Sequence, residues 1–123
     1  SVAITPSATS SKILVTCTFT SCQAVGTNNP YYRLARDSTG ILVGASAGSR
    51  TQMSTQNNSY NANVSNSRTL TAVDAPSSTS SITYALQWIQ AGGTMYFNRA
   101  ETDTDSSGYG RGASQITVME ISA

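Results

Sequence analysis

The residues best suited to chemistry are three acids that follow one another closely, Glu101, Asp103 and Asp105. Paired carboxylates cleave glycosidic bonds when they lie about 5–10 Å apart on either side of a sugar ring, and residues two apart in a loop reach such distances. A solvated surface hairpin is the simpler explanation for a polar segment of this kind. The stretch from Asp103 to Gly108 also has the oxygen spacing of half a calcium loop, but the late bidentate acid of such a loop is missing. We therefore predict neither a catalytic site nor a metal site here.

Composition excludes the common nucleophilic arrangements. The chain contains no histidine, so Ser-His and Cys-His pairs cannot form. Ser11 and Lys12 are adjacent, and adjacent strand residues point to opposite faces. The same rule separates Cys17 from Cys22, so we expect free thiols, as in a protein assembled in a reducing cytoplasm. The sequence predicts a protein that is not an enzyme and that binds no cofactor.

The charge content bears on the partners. Charged residues make up 11% of the chain and the net charge is only +1. Nucleic-acid binding requires clustered lysines and arginines, which are absent here. The apolar runs are too short to cross a bilayer. We thus expect no nucleic-acid partner and no membrane insertion. Because the chain begins with Ser1, we expect that the initiator methionine was removed or that the chain is a piece of a longer protein.

Two apolar stripes with a period of two predict strands that bury one face. One comprises Ile13, Val15, Cys17 and Phe19, and the other comprises Ile82, Tyr84, Leu86 and Trp88. Turn residues divide the chain into about eight strands, and Gly92-Gly93 predicts a tight hairpin between the runs Ser81–Gln90 and Thr94–Arg99. This pattern indicates an all-β fold, a jelly-roll-like antiparallel β-sandwich in a single domain spanning residues 1–123. The predicted strands are Val2–Thr5, Lys12–Ser21, Tyr31–Arg36, Ile41–Ala45, Ser67–Val73, Ser81–Gln90, Thr94–Arg99 and Gln115–Ile121.

Two polar segments, Gly48 to Asn66 and Glu101 to Gly112, are predicted loops of a size that is usually functional or disordered. Tyr31 and Tyr32 follow a turn and are further contact candidates, whereas Trp88 shares a stripe with Leu86 and is predicted to pack in the core. The candidate contact residues in the loops are Asn57, Asn58, Tyr60, Asp103, Asp105 and Tyr109.

The final predicted strand is apolar on both faces. A strand of a small sandwich needs only one apolar face, so the second face indicates a contact with a neighbouring subunit. The alternative is a central strand covered by the polar loop. Met119 and Ile121 are the interface candidates.

Both ends of the chain resemble a known group of proteins. Residues 2–15, VAITPSATSSKILV, resemble the "ITP-x-SASSKILV" opening of many phage tail-fibre and other virion-associated proteins. Residues 93–99, GTMYFNR, and 109–121, YGRGASQITVMEI, resemble the "GTVYINRS … GRGASTITVMEI" ending of the same proteins. The order and spacing agree, whereas the middle of the chain, including Arg50 to Ser67, matches nothing in that pattern.

The resemblance implies a tailed-phage virion protein whose β-sandwich commonly forms a homotrimer, assembled in the bacterial cytoplasm. The group offers no catalytic residues. Arg111 lies between Gly110 and Gly112, and either a buried pairing with Glu120 or an inter-subunit contact would account for it. The expected function is the distal receptor-binding domain of a trimeric tail fibre, joined to the fibre shaft and contacting a host surface glycan or protein. Two alternatives stay open: a trimeric decoration (cement) protein on the major capsid protein, and more remotely a glycan depolymerase.

Overall fold

A computed structural model describes residues 1–24, 26, 30–56, 61 and 63–122, and within these residues nine strands form two antiparallel sheets. In the first sheet the order is β1-β7-β3-β4, and β5 pairs with β3 beside β4. In the second sheet β2 is central, with β6 on one side and β9 and β8 on the other. The strands are β1 Val2–Ile4, β2 Lys12–Gln23, β3 Tyr31–Arg36, β4 Thr39–Gly40, β5 Thr55–Gln56, β6 Asn66–Asp74, β7 Ile82–Ile89, β8 Met95–Phe97 and β9 Gln115–Ile121.

The core lies where the apolar stripes of β2, β3 and β7 face one another. On β2 the inward residues Ile13, Val15, Cys17 and Phe19 are buried, and the rings of Phe19 and Tyr32 lie 4.8 Å apart across the sandwich. Burying one large apolar side chain contributes about 1.5–3 kcal/mol, so these stripes supply most of the driving force. The predicted all-β antiparallel sandwich is confirmed.

A partly buried polar group links the two sheets at one end of the core. Asp74, at the end of β6, accepts hydrogen bonds at 3.0 Å from Nη1 of Arg36 on β3 and at 2.7 Å from the hydroxyl of Tyr84 on β7. A buried carboxylate is tolerated only when it is paired and hydrogen-bonded. This group therefore fixes how β6 of one sheet sits against β3 and β7 of the other.

The segment after β3 differs from the prediction. The predicted strand Ile41–Ala45 is wrong: β4 ends at Gly40, and the chain then folds back beside β3. Ser54 holds this return, since its amide donates to the Tyr32 carbonyl at 2.8 Å and its hydroxyl accepts from the Leu34 amide at 3.1 Å. The short strand β5, Thr55–Gln56, follows within the segment predicted to be a loop.

The predicted hairpin at Gly92-Gly93 is also wrong. β7 belongs to the first sheet and β8 to the second, so this turn carries the chain from one sheet to the other. A turn motif gives the place where the chain reverses but not which strand the next one pairs with. Cys17 and Cys22 are buried and are not joined in a disulfide, as predicted, and burial raises the pKa of Cys17. Within the described residues, no helix has the length and apolar content needed to span a bilayer.

Candidate functional site

The outer face of the second sheet carries an exposed apolar row. Strand register places Leu14 of β2 between Val73 of β6 and Met119 of β9, and Ile121 lies at the adjoining end of β9. Val73 and Met119 are each 59% exposed and Ile121 is 44% exposed. We call these four residues the apolar row. Because contiguous exposed apolar side chains are uncommon on monomers, the apolar row is a candidate interaction surface.

Beyond the apolar row this face is rich in threonine and carries no charged side chain from Leu14 to Thr20, whereas the exposed Lys12 lies opposite Ile121. Between Leu14 and Thr20 the register produces rows of hydroxyl and amide side chains, and Thr18 and Thr69 hydrogen-bond to each other at 2.9 Å. A face without charge can be covered by another protein surface without the cost of burying an ion. The side chains that form these rows are Thr16, Thr71 and Thr117, then Thr18, Thr69 and Gln115, then Thr20 and Ser67.

Met119 and Ile121, the predicted interface candidates, are thus exposed on the outer face of the second sheet. The competing prediction, that the polar loop covers this face of β9, is not met by the described part of that loop, since both side chains are exposed. The inward face of the same strand places Ile116 and Val118 against the core. β9 is therefore apolar on both sides, with one side used within the chain and the other open.

Arg111 does not pair with Glu120, so that prediction is wrong. Its Nη2 donates to Oδ2 of Asp103 at 2.7 Å, while Nη1 of Arg99 lies 3.3 Å from the same oxygen. Glu120 instead accepts hydrogen bonds from the amide and hydroxyl of Ser7. The path of the loop brings Asp103 back to Arg111, a proximity that the sequence pattern does not indicate.

The loop of residues 99–112 is braced by this arrangement. Asp103 joins the two arginines, and the Arg99 guanidinium also lies 4.3 Å from the ring centroid of Tyr96. Asp103, predicted to contact a partner, is therefore used inside the loop. Asp105 is exposed and Tyr109 is half-buried in the same loop, so both stay candidates. The candidates Asn57, Asn58 and Tyr60 lie outside the described residues.

A cleft of about 520 Å³, which sequence reasoning missed, opens along β3 and β7 of the first sheet. Its floor includes the cross-strand pairs Tyr31–Ile89 and Arg33–Gln87, and residues 51–53 form its wall. Nε of Arg33 donates to Oε1 of Gln87 at 2.8 Å. The wall is held by Gly44, whose amide donates to the Met53 carbonyl and whose carbonyl accepts from Gln52 at 2.8 Å. Tyr31 was a predicted contact residue, but the sequence pattern did not indicate that residues 51–53 would lie beside it.

Trp88 does not pack fully in the core, contrary to the prediction. It is 55% exposed, and its ring centroid lies 4.7 Å from that of Phe97 at an edge where the two sheets diverge. A smaller cleft of about 230 Å³ opens at this edge. The apolar stripe of β7 is therefore buried at Ile82 and Tyr84, partly exposed at Leu86 and exposed at Trp88.

Among the described residues no group of three or more His, Cys, Asp or Glu side chains is arranged to hold a metal ion. Comparison with family models, curated proteins and solved structures finds no match to this chain.

Proposed function

We propose that this chain is a non-enzymatic structural and adhesive domain of a tailed-phage particle, the distal receptor-binding domain of a trimeric tail fibre. The observation that carries the proposal is the apolar row, exposed on a face without charged residues between Leu14 and Thr20. Monomeric soluble domains rarely expose a contiguous apolar surface of this kind.

A second copy of the chain is the occupant that fits this face best. Interface cores are depleted in charge and enriched in methionine, and the apolar row has Met119 at its edge. Because the part of the face from Leu14 to Thr20 is uncharged, two copies can bring this part together without charge repulsion, and Lys12 lies at the end of β2 beside Ile121. β9 also pairs with β2 along one side only, so its other side lies at the rim of the sheet, where a neighbouring subunit can reach it.

The two sequence stretches that resemble phage proteins meet in the fold. β9 pairs with β2 from Lys12↔Ile121 to Thr18↔Gln115, and Glu120 binds Ser7 of the opening segment. The resemblance therefore concerns one contiguous part of the molecule rather than two unrelated ends. This supports a shared architecture at the proposed subunit contact.

The acidic loop gives little support to a glycan depolymerase. The Oδ2 oxygen of Asp103 is already paired with Arg99 and Arg111, whereas the two carboxylates of a glycosidase act on the sugar between them. The capsid-decoration alternative would use the same outer face of the second sheet, but it requires a different number of copies of the chain in each particle.

Quantitative mass spectrometry of purified particles from the phage that encodes this chain tests the proposal. A fibre domain is expected in a small number of copies, in multiples of three. Many copies per particle would replace the fibre assignment with capsid decoration. Absence of the chain from purified particles would contradict both.

A further inference from the structure

We infer that the cleft on the first sheet binds an acidic saccharide, a sugar that carries a carboxylate, with Arg33 as the anion-binding group and Tyr31 as the platform for the ring. The inference rests on the proposed adhesive function and names the chemistry of what is bound.

Arg33 gives the cleft a positive charge. Arg33 is half-buried on its floor and donates to Gln87 at 2.8 Å and to the Ser38 carbonyl at 3.4 Å. Among the described residues it has no carboxylate partner, unlike Arg36, Arg99 and Arg111. No Asp or Glu lines the cleft, and the exposed Arg50 immediately precedes its wall. A partly desolvated guanidinium without a counter-ion favours an anionic ligand, and the planar fork of arginine suits a carboxylate.

The apolar and polar groups around Arg33 define the rest of the ligand. Tyr31, Met53 and Ile89 present apolar surface, against which the C–H face of a pyranose ring can pack. The Nε2 group of Gln87 and Oε1 of Gln52 make no hydrogen bond within the described residues, so a donor and an acceptor are available to sugar hydroxyls.

The size of the site favours a saccharide over a protein partner. The volume of about 520 Å³ falls in the range of small-ligand sites, about 300–1,000 Å³. An acidic peptide shares the carboxylate but lacks the hydroxyl-rich ring that the Gln87 and Gln52 amides suit.

Isothermal titration calorimetry with an oligogalacturonate, a neutral maltotetraose and a short oligoglutamate peptide tests the inference. We expect the oligogalacturonate to bind and maltotetraose to bind at least tenfold more weakly, and added salt should weaken the binding. Arg33→Gln should weaken it roughly tenfold to a hundredfold, as for the loss of charge-assisted hydrogen bonds. The matched control Lys12→Gln removes the same charge from the other sheet and should change affinity less than twofold.

Several results would overturn the inference: no binding of the oligogalacturonate, equal binding of maltotetraose, tighter binding of oligoglutamate, or equal losses in the Arg33→Gln and Lys12→Gln variants. A chain that adheres to host cells but binds no acidic oligosaccharide would leave the adhesive function standing and contradict the cleft assignment. Binding of the oligogalacturonate by a chain that is absent from particles would support the cleft assignment and contradict the proposed role in the phage particle.

Discussion

Ser7 donates both its backbone amide, at 2.8 Å, and its hydroxyl, at 2.7 Å, to the same carboxylate oxygen of Glu120. The two residues stand near opposite ends of the chain, in the turn after β1 and on β9. The carboxylate thereby ties the turn between β1 and β2 to the strand that offers Met119 and Ile121 to a neighbour. The neighbouring Ser11 hydroxyl and these two donors lower the pKa of Glu120.

Glu120→Gln should reduce stability in a pH-dependent way. A carboxylate whose pKa is lower in the folded state than its ordinary value of 4.5 contributes stability that is present above that value and is lost as the pH falls below it. The variant should therefore be less stable than the unmodified chain near neutral pH, and the difference should shrink in acid. Urea denaturation across this pH range measures it. Asp105→Asn, at an exposed carboxylate in the 99–112 loop, is the control and should leave the profile unchanged. An unchanged profile for Glu120→Gln would show that the Ser7 contact does not stabilise the fold.

Tyr84 should resist ionisation for as long as the sandwich is folded. Burial, the hydrogen bond to Asp74 and the charge of that carboxylate raise the pKa of Tyr84 above its ordinary value of 10.0. Since the raised pKa belongs to the folded state, its contribution to stability is present below pH 10 and declines as the pH rises further. In an alkaline titration followed at the phenolate absorbance, the Tyr84 phenol should ionise only when circular dichroism shows loss of the sheets.

Tyr84→Phe should remove one phenol from that late phase and lower the free energy of unfolding by about 1–3 kcal/mol, since the phenol donates to a charged group. Tyr109→Phe, in an exposed loop, should leave the late phase in place. If all tyrosines of the unmodified chain ionise together while the sheets persist, the link between Asp74 and Tyr84 is not as described.

Gly112→Ala should destabilise the chain where the loop of residues 99–112 meets β2. A Cβ atom at Gly112 would lie 2.9 Å from both Cβ and Cγ2 of Thr20, closer than such atoms pack. The expected cost is about 1–3 kcal/mol in free energy of unfolding, as for other overpacked sites. Gly110→Ala is the matched control, because nothing lies within 4 Å of its added Cβ, and it should stay within about 0.5 kcal/mol of the unmodified chain. Equal stabilities of the two variants in urea denaturation would contradict the close approach to Thr20.

The stripes of period two predicted the long strands well, because burial of one face leaves a direct mark on the sequence. β3 and β9 begin and end at the predicted residues, and β2 and β7 differ by at most two residues at each end. Pairing was harder to predict. Nothing in Gly92-Gly93 indicates that the next strand joins the other sheet, and nothing in Thr55 indicates a pairing with Tyr32.

Of the two candidate surfaces, the apolar row was predictable from the sequence and the cleft at Arg33 was not. Met119 and Ile121 were found because their exposure follows from the alternation along one strand. The cleft at Arg33 was missed because its wall comes from a segment that has no period, and only the hydrogen bonds of Ser54 and Gly44 place it there. The pairing of Arg111 with Asp103 depends likewise on the path of a loop.

Sedimentation velocity of the isolated chain over a range of concentrations tests most directly whether the apolar row is a subunit contact. We expect a species with three times the mass of one chain. Met119→Asp should shift it to the single chain, because a charge would then be buried in the contact. Val64→Asp places the same charge at an exposed valine near the other end of the second sheet and should leave the trimer intact. A single-chain mass for the unmodified protein at every concentration, or equal dissociation of both variants, would contradict the account.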